Sequence, residues 1–303
     1  MNAIAGEVNE RLVLGTAQLG MRYGIANKDG RPAHGCVRSI VETSWAHGIR
    51  EFDTAQSYGD SEQVLGLALT ELGIANQAKV ISKLHPKIDH RNEKSVREAV
   101  ARTLNRLGVQ RLYGLMIHNE DHLRALDDGM GETFRGLVKD DLVEHIGISV
   151  YSPQAALQAL SFDAIDMIQI PANVLDRRMQ EAGVFVHARE KRKQVYLRSV
   201  FLQGLLLMEI DELPAKVERA RSVLKALHRI ANEFDTSPKR MALGFVRDTY
   251  ADAKVVFGAE LPEQVEDNCT CWGASMSRTL LGHLEKMFLD VDEKVVDPRL
   301  WSN

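Results

Sequence analysis

Eight short apolar runs, each followed by a helical pattern, constrain the fold of this 303-residue chain more than any other feature. Most of the runs are unbroken, as expected for strands that are buried on both faces of a parallel sheet. We predict strands at residues 12–14, 51–53, 79–83, 112–117, 143–149, 166–170, 194–199 and 254–258. Eight strand–helix units predict an α/β fold of the (β/α)8 TIM-barrel type. A doubly wound sheet would usually show an early G-x-G-x-x-G string, which the sequence lacks.

The segments between the runs carry helix signals. Between the third and fourth runs, Ser95 and Glu98 have the spacing of a capping box, which predicts that a helix begins there. Gly108 predicts its end. The apolar positions of this segment share one helical face, as a helix packed on a sheet requires: they are Val96, Val100, Leu104 and Leu107.

The domain organisation follows from an even composition. No Pro/Gly/Ser-rich linker and no low-complexity stretch divides the sequence, so we expect residues 1–303 to form a single barrel domain. Two stretches exceed a minimal barrel. One is an extra helical segment at about 205–234, and the other is a C-terminal tail at about 275–303 with a helix predicted at 279–288. We expect both to lie over a barrel end.

Charge and cysteine content exclude several classes of protein. The net charge is −4 without a dense basic block, which indicates neither nucleic-acid nor membrane binding. Cys36, Cys269 and Cys271 suit a reducing compartment, and they lack the second ligand pair of a zinc site, so no metal is predicted. The N-terminus is too polar for a signal peptide, and no apolar run approaches about 18 residues. We expect a cytoplasmic location.

Four polar residues stand at or just beyond the ends of three successive predicted strands. Asp53 ends the second strand, Tyr58 lies in the loop after it, Lys83 ends the third and His118 follows the fourth. In a barrel such residues face one shared pocket, and neighbouring strands are only about 4.8 Å apart. Taken singly, each has a plainer interpretation as a helix cap, a turn, a solvated lysine or a structural histidine. Their joint placement predicts a proton-donating site.

The chemistry of that site follows from the high pKa of tyrosine, which is about 10 when unperturbed. We expect the Lys83 ammonium to lower the pKa of Tyr58, and Asp53 to hold Lys83 through a salt bridge. His118 would hydrogen-bond a substrate oxygen or relay a proton. Together these groups can polarise a carbonyl oxygen and protonate it as a hydride reaches the carbon. Such a hydride must come from a cofactor.

The four residues and their surroundings resemble the aldo-keto reductase superfamily, within it a bacterial subgroup with an LGTAQLGxxYGIAN motif. The resemblance implies a (β/α)8 barrel that binds NADPH or NADH without a Rossmann domain, and it makes Tyr58 the general acid. Besides the Lys83 and His118 segments, the matching strings are LGTAQLG (14–20), FDTAQSYGDSE (52–62), HIGIS (145–149), IQIPANVLDRR (168–178), SPKRMALGFV (237–246) and GAELPEQVEDN (258–268).

The same resemblance implies the cofactor contacts. Ser149 and Gln169 match residues that bind the nicotinamide carboxamide, although Val150 replaces the asparagine usual after that serine. Arg198 stands where many members stack a tyrosine on the nicotinamide, and a guanidinium plane can stack likewise. The remaining implied contacts are Gly15 and Thr16 at the ribose, Ser199, Leu202 and Gly204 at the pyrophosphate, and Gly258, Glu260, Gln264 and Asn268 at the adenosine.

Glu260 departs from the family in a position that bears on cofactor choice. Members of the family commonly have Arg, Lys or Ser there, which meets the 2′-phosphate of NADPH. A carboxylate would repel that phosphate and could accept a hydrogen bond from a 2′-hydroxyl. We therefore hypothesise a preference for NADH or a weakened discrimination. The alternative is that Glu260 turns to solvent and another cation, such as Lys254, meets the phosphate.

The polar loop GMRYGIANKDGRP (20–32) resembles that of a subgroup thought to act on sugar-like substrates. Tyr23 and Asn27 would then line the pocket mouth, unless the segment is only a turn built on Gly24 and Gly30. We predict an NAD(P)H-dependent oxidoreductase that reduces a small-molecule aldehyde or ketone. The alternative is a nicotinamide-binding regulatory protein of the same fold with little or no turnover, and only that alternative involves a protein partner.

Overall fold

The computed structural model describes residues 9–126 and 129–301. Within them, parallel strands close into a barrel in which each strand pairs with the next and the eighth pairs with the first. The predicted (β/α)8 barrel is confirmed, with strand ends within one residue of those expected. The strands are β1 Leu12–Gly15, β2 Glu51–Asp53, β3 Lys79–Leu84, β4 Leu112–Ile117, β5 Val143–Ser149, β6 Met167–Pro171, β7 Gln194–Arg198 and β8 Lys254–Gly258.

Helices surround the barrel. The longer ones are α1 His34–Ala46, α2 Ser61–Glu71, α3 Glu93–Leu107, α4 Met130–Lys139, α5 Pro153–Leu160, α6 Val184–Glu190, α7 Arg221–Glu233, α8 Pro238–Thr249, α9 Pro262–Gly273 and α10 Arg278–Met287. Short α-helical turns lie at Ala17–Gly20, Arg178–Glu181 and Glu293–Val296, and 3₁₀ turns at Glu120–Leu126, Leu202–Leu207, Ile210–Glu212, Ala215–Ala220 and Pro298–Leu300. No helix of the described residues is long and apolar enough to cross a membrane.

Helix α3 begins two residues before the predicted capping box. The side chain of Asn92 accepts a hydrogen bond from the Ser95 backbone N–H at 3.1 Å, which makes Asn92 the N-cap. The capping box at Ser95 was therefore wrong, because an asparagine three residues earlier already satisfies that N–H group. Gly108 ends the helix as predicted, in a left-handed conformation with φ of 64°.

The barrel interior is filled by side chains. Val13, Ile81, Met116, Met167, Tyr196 and Val256 form a separate apolar cluster inside the strands. Gly147 makes room for one of them, since a Cβ there would lie 2.4 Å from the Met167 side chain. The interior is thus a packed core, and ligands are confined to the loops at the carboxyl ends of the strands.

The C-terminal tail reaches loops at the carboxyl end of the barrel. Arg178, after β6, donates to Glu293 at 2.5 Å and to Asp176 at 2.9 Å. Arg299 lies 3.3 Å from Glu120, which follows β4. The tail therefore lies at the barrel end on which the four predicted catalytic residues stand.

Candidate active site

A buried ion pair joins the ends of β2 and β3. Lys83 Nζ donates to both carboxylate oxygens of Asp53, at 2.7 and 2.6 Å, and to the Thr54 carbonyl at 3.0 Å. Gln169 Nε2 donates to the same carboxylate at 2.8 Å. Lys83 has no exposed surface and Asp53 is 3% exposed. The strands hold the pair in one geometry, since both residues end adjacent parallel strands.

Tyr58 and His118 complete the group of four. Lys83 Nζ lies 5.0 Å from the centroid of the Tyr58 ring, and the rings of Tyr58 and His118 meet edge to face with centroids 5.5 Å apart. The Ser57 hydroxyl is 3.1 Å from Nδ1 of His118. The structure therefore brings all four predicted catalytic residues together.

The electrostatics of Tyr58 differ from the expectation. Burial raises the pKa of Tyr58 above its usual value, the Asp53 carboxylate raises it further, and the Arg198 cation only partly opposes this. The expected lowering by Lys83 was wrong, because the Asp53 carboxylate neutralises the ammonium charge at close range. Burial likewise lowers the pKa of Lys83 despite that carboxylate. Tyr58 therefore keeps its proton, as a donor must.

His118 is neutral in this site. Burial, followed by the positive charges of Lys83 and Arg198, lowers the pKa of His118 to about 3. A cationic histidine is therefore excluded near neutral pH, and with it a proton relay that begins from an imidazolium. The neutral ring can still hydrogen-bond a substrate oxygen.

A cavity of about 320 Å³ extends from Tyr58 to the start of α9. Lys83, His118, Ser149 and Leu202 are not among the lining residues of this cavity, although Lys83 and His118 lie beside Tyr58, which is one of them. The Leu202 side chain is buried in the outer core and its N–H donates to the Ser199 carbonyl, but its neighbours Phe201, Gln203 and Gly204 line the cavity, so a pyrophosphate contact by the backbone around Leu202 stays a prediction. The predicted site residues that line the cavity are Gly15, Thr16, Tyr23, Asn27, Asp53, Tyr58, Gln169, Arg198, Ser199, Gly204, Gly258, Glu260, Gln264 and Asn268.

Two features of this cavity fit a dinucleotide. Asn268 is 2% exposed, yet its Oδ1 has no hydrogen-bond partner among residues 9–126 and 129–301, which leaves a buried acceptor suited to an adenine amino group. Gly204 lies close to the first loop, since a Cβ on it would be 2.6 Å from Ala26, and Ile25 N–H donates to the Gln203 carbonyl at 3.1 Å. The first loop thus packs against the loop after β7 and narrows the cavity between its two ends.

The two predicted substrate residues of the first loop, Tyr23 and Asn27, lie in different parts of the cavity. Burial and the neighbouring Tyr58 raise the pKa of Tyr23 to about 12, which puts Tyr23 at the tyrosine end of the cavity. Asn27 instead exchanges hydrogen bonds with Gly30 and bonds the carboxylate of Glu260. Both residues line the cavity, as predicted, but they lie at different places along it, because the turn at Gly30 carries the Asn27 side chain towards Glu260. That either one contacts a substrate stays a prediction.

The lysine that lines the cavity is Lys239, and not Lys254, which was suggested as the partner of a cofactor phosphate. Lys254 begins β8 and pairs with Glu51, at the opposite end of the barrel, so it cannot meet a cofactor phosphate. Lys239, in the first turn of α8, lines the cavity and pairs with Asp267. The sequence interpretation missed Lys239 although it lies in the matched string 237–246. It also missed other lining residues, among them Gln18, Phe201, Gln203 and Phe257.

Arg198 and Tyr151 form a stacked pair on the cavity wall. The guanidinium carbon lies 3.7 Å from the Tyr151 ring centroid, and Nη2 donates to the Val150 carbonyl at 3.1 Å. Arg299 also lies over this ring, at 3.9 Å. Each face of the Tyr151 ring can contact one guanidinium, so the ring lies between Arg198 of β7 and Arg299 of the C-terminal tail.

The chain is similar to known proteins over most of its length. The D-threo-aldose 1-dehydrogenase of a Pseudomonas species is 24% identical and covers 88% of this chain and 90% of its own length. The NADH-specific methylglyoxal reductase of Escherichia coli is 25% identical and covers 80% and 84%. The solved structure of an aldo-keto reductase from Bacillus halodurans, in its holo form, superposes with a TM-score of 0.76 at 20% identity and covers 94% and 95%.

The family model described as "Aldo/keto reductase family" matches residues 11–284, from the start of β1 into α10. This range includes the barrel, the buried ion pair and the cavity. The chain therefore belongs to the aldo/keto reductase family and is an NAD(P)H-dependent oxidoreductase.

Proposed function

We propose that this protein reduces the carbonyl group of a polar aldehyde or ketone, with Tyr58 as the general acid. The observation that carries the proposal is the place of Tyr58 in the cavity wall, directly beside the buried Asp53–Lys83 pair. A buried, protonated phenol can donate to a carbonyl oxygen whose basicity rises as the carbon is reduced. The reverse reaction, oxidation of the alcohol, uses the same groups.

The residues around Tyr58 would share the work of proton transfer. A bound nicotinamide supplies the hydride. Lys83 and Arg198 would stabilise the phenolate that remains once Tyr58 has given up its proton. Neutral His118, oriented by the Ser57 hydroxyl at 3.1 Å, would donate a hydrogen bond to the substrate oxygen. Asp53 would keep Lys83 charged and in place.

We further propose that NADH is the preferred cofactor. Glu260 lies in the cavity wall with its carboxylate held by Asn27, and burial, the leading cause, raises its pKa. A 2′-phosphate would therefore meet a fixed carboxylate, whereas a 2′-hydroxyl could donate to it. The name of the E. coli relative, an NADH-specific reductase, supports the same choice. Lys239 does not counter it, because Asp267 already pairs with that ammonium.

We propose a polar substrate of sugar-like size. Tyr23, Gln18 and Arg198 give the cavity polar walls, and one relative is named for an aldose.

The three free cysteines, Cys36, Cys269 and Cys271, are consistent with the cytoplasmic location that belongs to this proposal.

The test is turnover of a panel of aldehydes, keto-sugars and aldoses with NADH and NADPH, in the wild type and in Tyr58→Phe. We expect Tyr58→Phe to lower kcat by about 100- to 10,000-fold while the cofactor Kd, measured by fluorescence, changes little. Tyr113→Phe is the matched control, since the Tyr113 hydroxyl contacts Gln194 at the amino end of the strands, opposite to the cavity. Unchanged kcat in Tyr58→Phe would refute the mechanism. Tight cofactor binding without turnover of any carbonyl would favour the regulatory alternative.

A further inference from the structure

We propose that Arg198 recognises an anionic group of the substrate, and that the preferred substrate carries a carboxylate a few atoms from its reacting carbonyl. This inference rests on the proposed function and names the substrate class of the same site. A carboxylate would bind to the N–H groups at the edge of the guanidinium, whereas a nicotinamide would stack on its face.

Arg198 is a cation without an anionic partner. Within the described ranges 9–126 and 129–301, no carboxylate forms a salt bridge with it, although nearby Lys83 is fully paired with Asp53. It donates to two neutral oxygens, the Val150 carbonyl at 3.1 Å and the Ser199 hydroxyl at a long 3.4 Å. Its Nε is buried and has no partner there. Since a guanidinium offers five N–H donors, most of its capacity is unused.

The guanidinium is held rigidly in the cavity wall. Its face rests on Tyr151, whose other face is covered by Arg299. The Glu120 carboxylate fixes this arrangement by accepting from the Tyr151 N–H at 2.7 Å and by pairing with Arg299 at 3.3 Å. A preorganised planar fork is the arrangement that proteins use for bidentate binding of carboxylates.

The position of this fork selects a substrate anion over a cofactor phosphate. Arg198, Tyr58 and Tyr23 line the same cavity, and the charge of Arg198 partly opposes the rise that burial causes in the pKa of both phenols. A carboxylate bound there would place an attached carbonyl beside Tyr58. The loop after Ser199 instead packs on the first loop through Gln203 and Gly204. An uncompensated cation in a partly desolvated wall also favours an anionic ligand over a neutral one.

The test compares 4-carboxybenzaldehyde and succinic semialdehyde, each with its methyl ester, which keeps the carbonyl and removes the charge. We expect the wild-type kcat/KM to be about 10- to 100-fold higher for at least one acid than for its ester. In Arg198→Gln that ratio should fall to about one, and Arg198→Lys should restore it in part. Turnover of both compounds will fall, because the cation also favours the Tyr58 phenolate, so the ratio is the decisive quantity. Arg111→Gln, an exposed arginine before β4, is the control.

A second readout needs no turnover. Calorimetric titration with benzoate, with and without NAD⁺ present, should show binding to the wild type and to Arg111→Gln but loss of binding in Arg198→Gln. Thermal unfolding will show whether each variant is folded. Equal kcat/KM for acids and esters in the wild type, or benzoate binding that survives in Arg198→Gln, would overturn the inference. If Arg198→Gln instead weakens NADH binding and slows acids and esters alike, Arg198 serves the cofactor. Failure to reduce any aldehyde refutes the proposed function, while the benzoate titration still decides on the anion site.

Discussion

Replacing Lys83 with methionine removes three donated hydrogen bonds and the charge that balances Asp53. The mutation leaves a carboxylate that is 3% exposed with Gln169 Nε2 as its remaining described side-chain donor, at 2.8 Å. Breaking a buried pair by removing one partner typically costs about 3–5 kcal/mol, because the other charge stays buried and unpaired. We expect the free energy of unfolding of Lys83→Met to fall by that amount.

The assay is reversible urea unfolding followed by tryptophan fluorescence, with the double variant Lys83→Met/Asp53→Asn measured alongside. Neutralising the carboxylate should recover part of the loss, so the double variant should be more stable than the sum of the two single losses implies. Lys254→Met is the matched control at the other end of the barrel. Glu51 is as buried as Asp53 and likewise keeps one donor, the Tyr196 hydroxyl at 2.9 Å, but Lys254 is 28% exposed. Water can therefore reach Glu51 once the ammonium is removed, and we expect a smaller cost of about 1 kcal/mol.

Two outcomes would refute this reasoning. One is a loss below about 1 kcal/mol for Lys83→Met, which would mean that the Asp53 charge is solvated or well paired without the lysine. The other is strict additivity of the two single losses, which would mean that Lys83 and Asp53 are not energetically coupled. A cost for Lys254→Met as large as that for Lys83→Met would also count against an explanation based on burial.

Three further predictions concern cofactor choice, pH and the tail. Glu260→Ser should tighten NADPH binding about tenfold by removing one repelling charge, whereas Glu263→Ser, in the exposed first turn of α9, should not; cofactor fluorescence titration measures both. Burial and the adjacent His122 lower the pKa of His90 to about 4. Between about pH 6.5 and 4 the unfolded chain binds more protons at this position, so stability should decrease as pH is lowered, by up to about 1.4 kcal/mol per pH unit from His90. His118, with a pKa of about 3, adds to this slope, so His90→Phe should reduce the pH dependence in unfolding experiments without abolishing it. Arg299→Gln should raise KM for carboxylated substrates about three- to tenfold with a smaller change in kcat, since it loosens Tyr151 beneath Arg198; equal changes in both constants would contradict this.

The barrel could be predicted because its evidence is local and repeated. Each strand is an apolar run whose ends are marked by a change in composition, and the polar residues that stand at those ends converge once the strands are parallel. Asp53, Tyr58, Lys83 and His118 were found in this way. Their positions depend on strand order alone, which the alternation of strands and helices already implies.

What the sequence could not give depends on side-chain direction and burial. Asn27 lies in the expected loop, but the turn at Gly30 directs its side chain to Glu260, and Leu202 has a left-handed backbone conformation with its side chain in the core. Such directions depend on local backbone conformations that the sequence pattern does not specify. The pKa of Tyr58 depends on burial and on the pairing of Lys83 with Asp53, two quantities that no local string contains. Lys239 is brought to the cavity by the packing of α8 on the barrel, and its neighbours in sequence give no sign of a ligand.

Strand β2 carries a carboxylate at each end of its inward face. Glu51 binds Lys254 and Tyr196 at the amino end of the strands, and Asp53 binds Lys83 at the carboxyl end. Phe52, between them, points outward into the helix layer. A shift of one residue along the neighbouring strands would reverse all three, placing both carboxylates against apolar helices and the phenyl ring among the polar groups. Because most strands here are apolar on both faces, hydrophobic burial alone discriminates poorly against such a shift. The two ion pairs therefore do more than serve a site: they favour the observed register of β2 against the strands around it, and a chain that has paired β2 correctly has, by the same contacts, assembled the Asp53–Lys83 pair of its catalytic end.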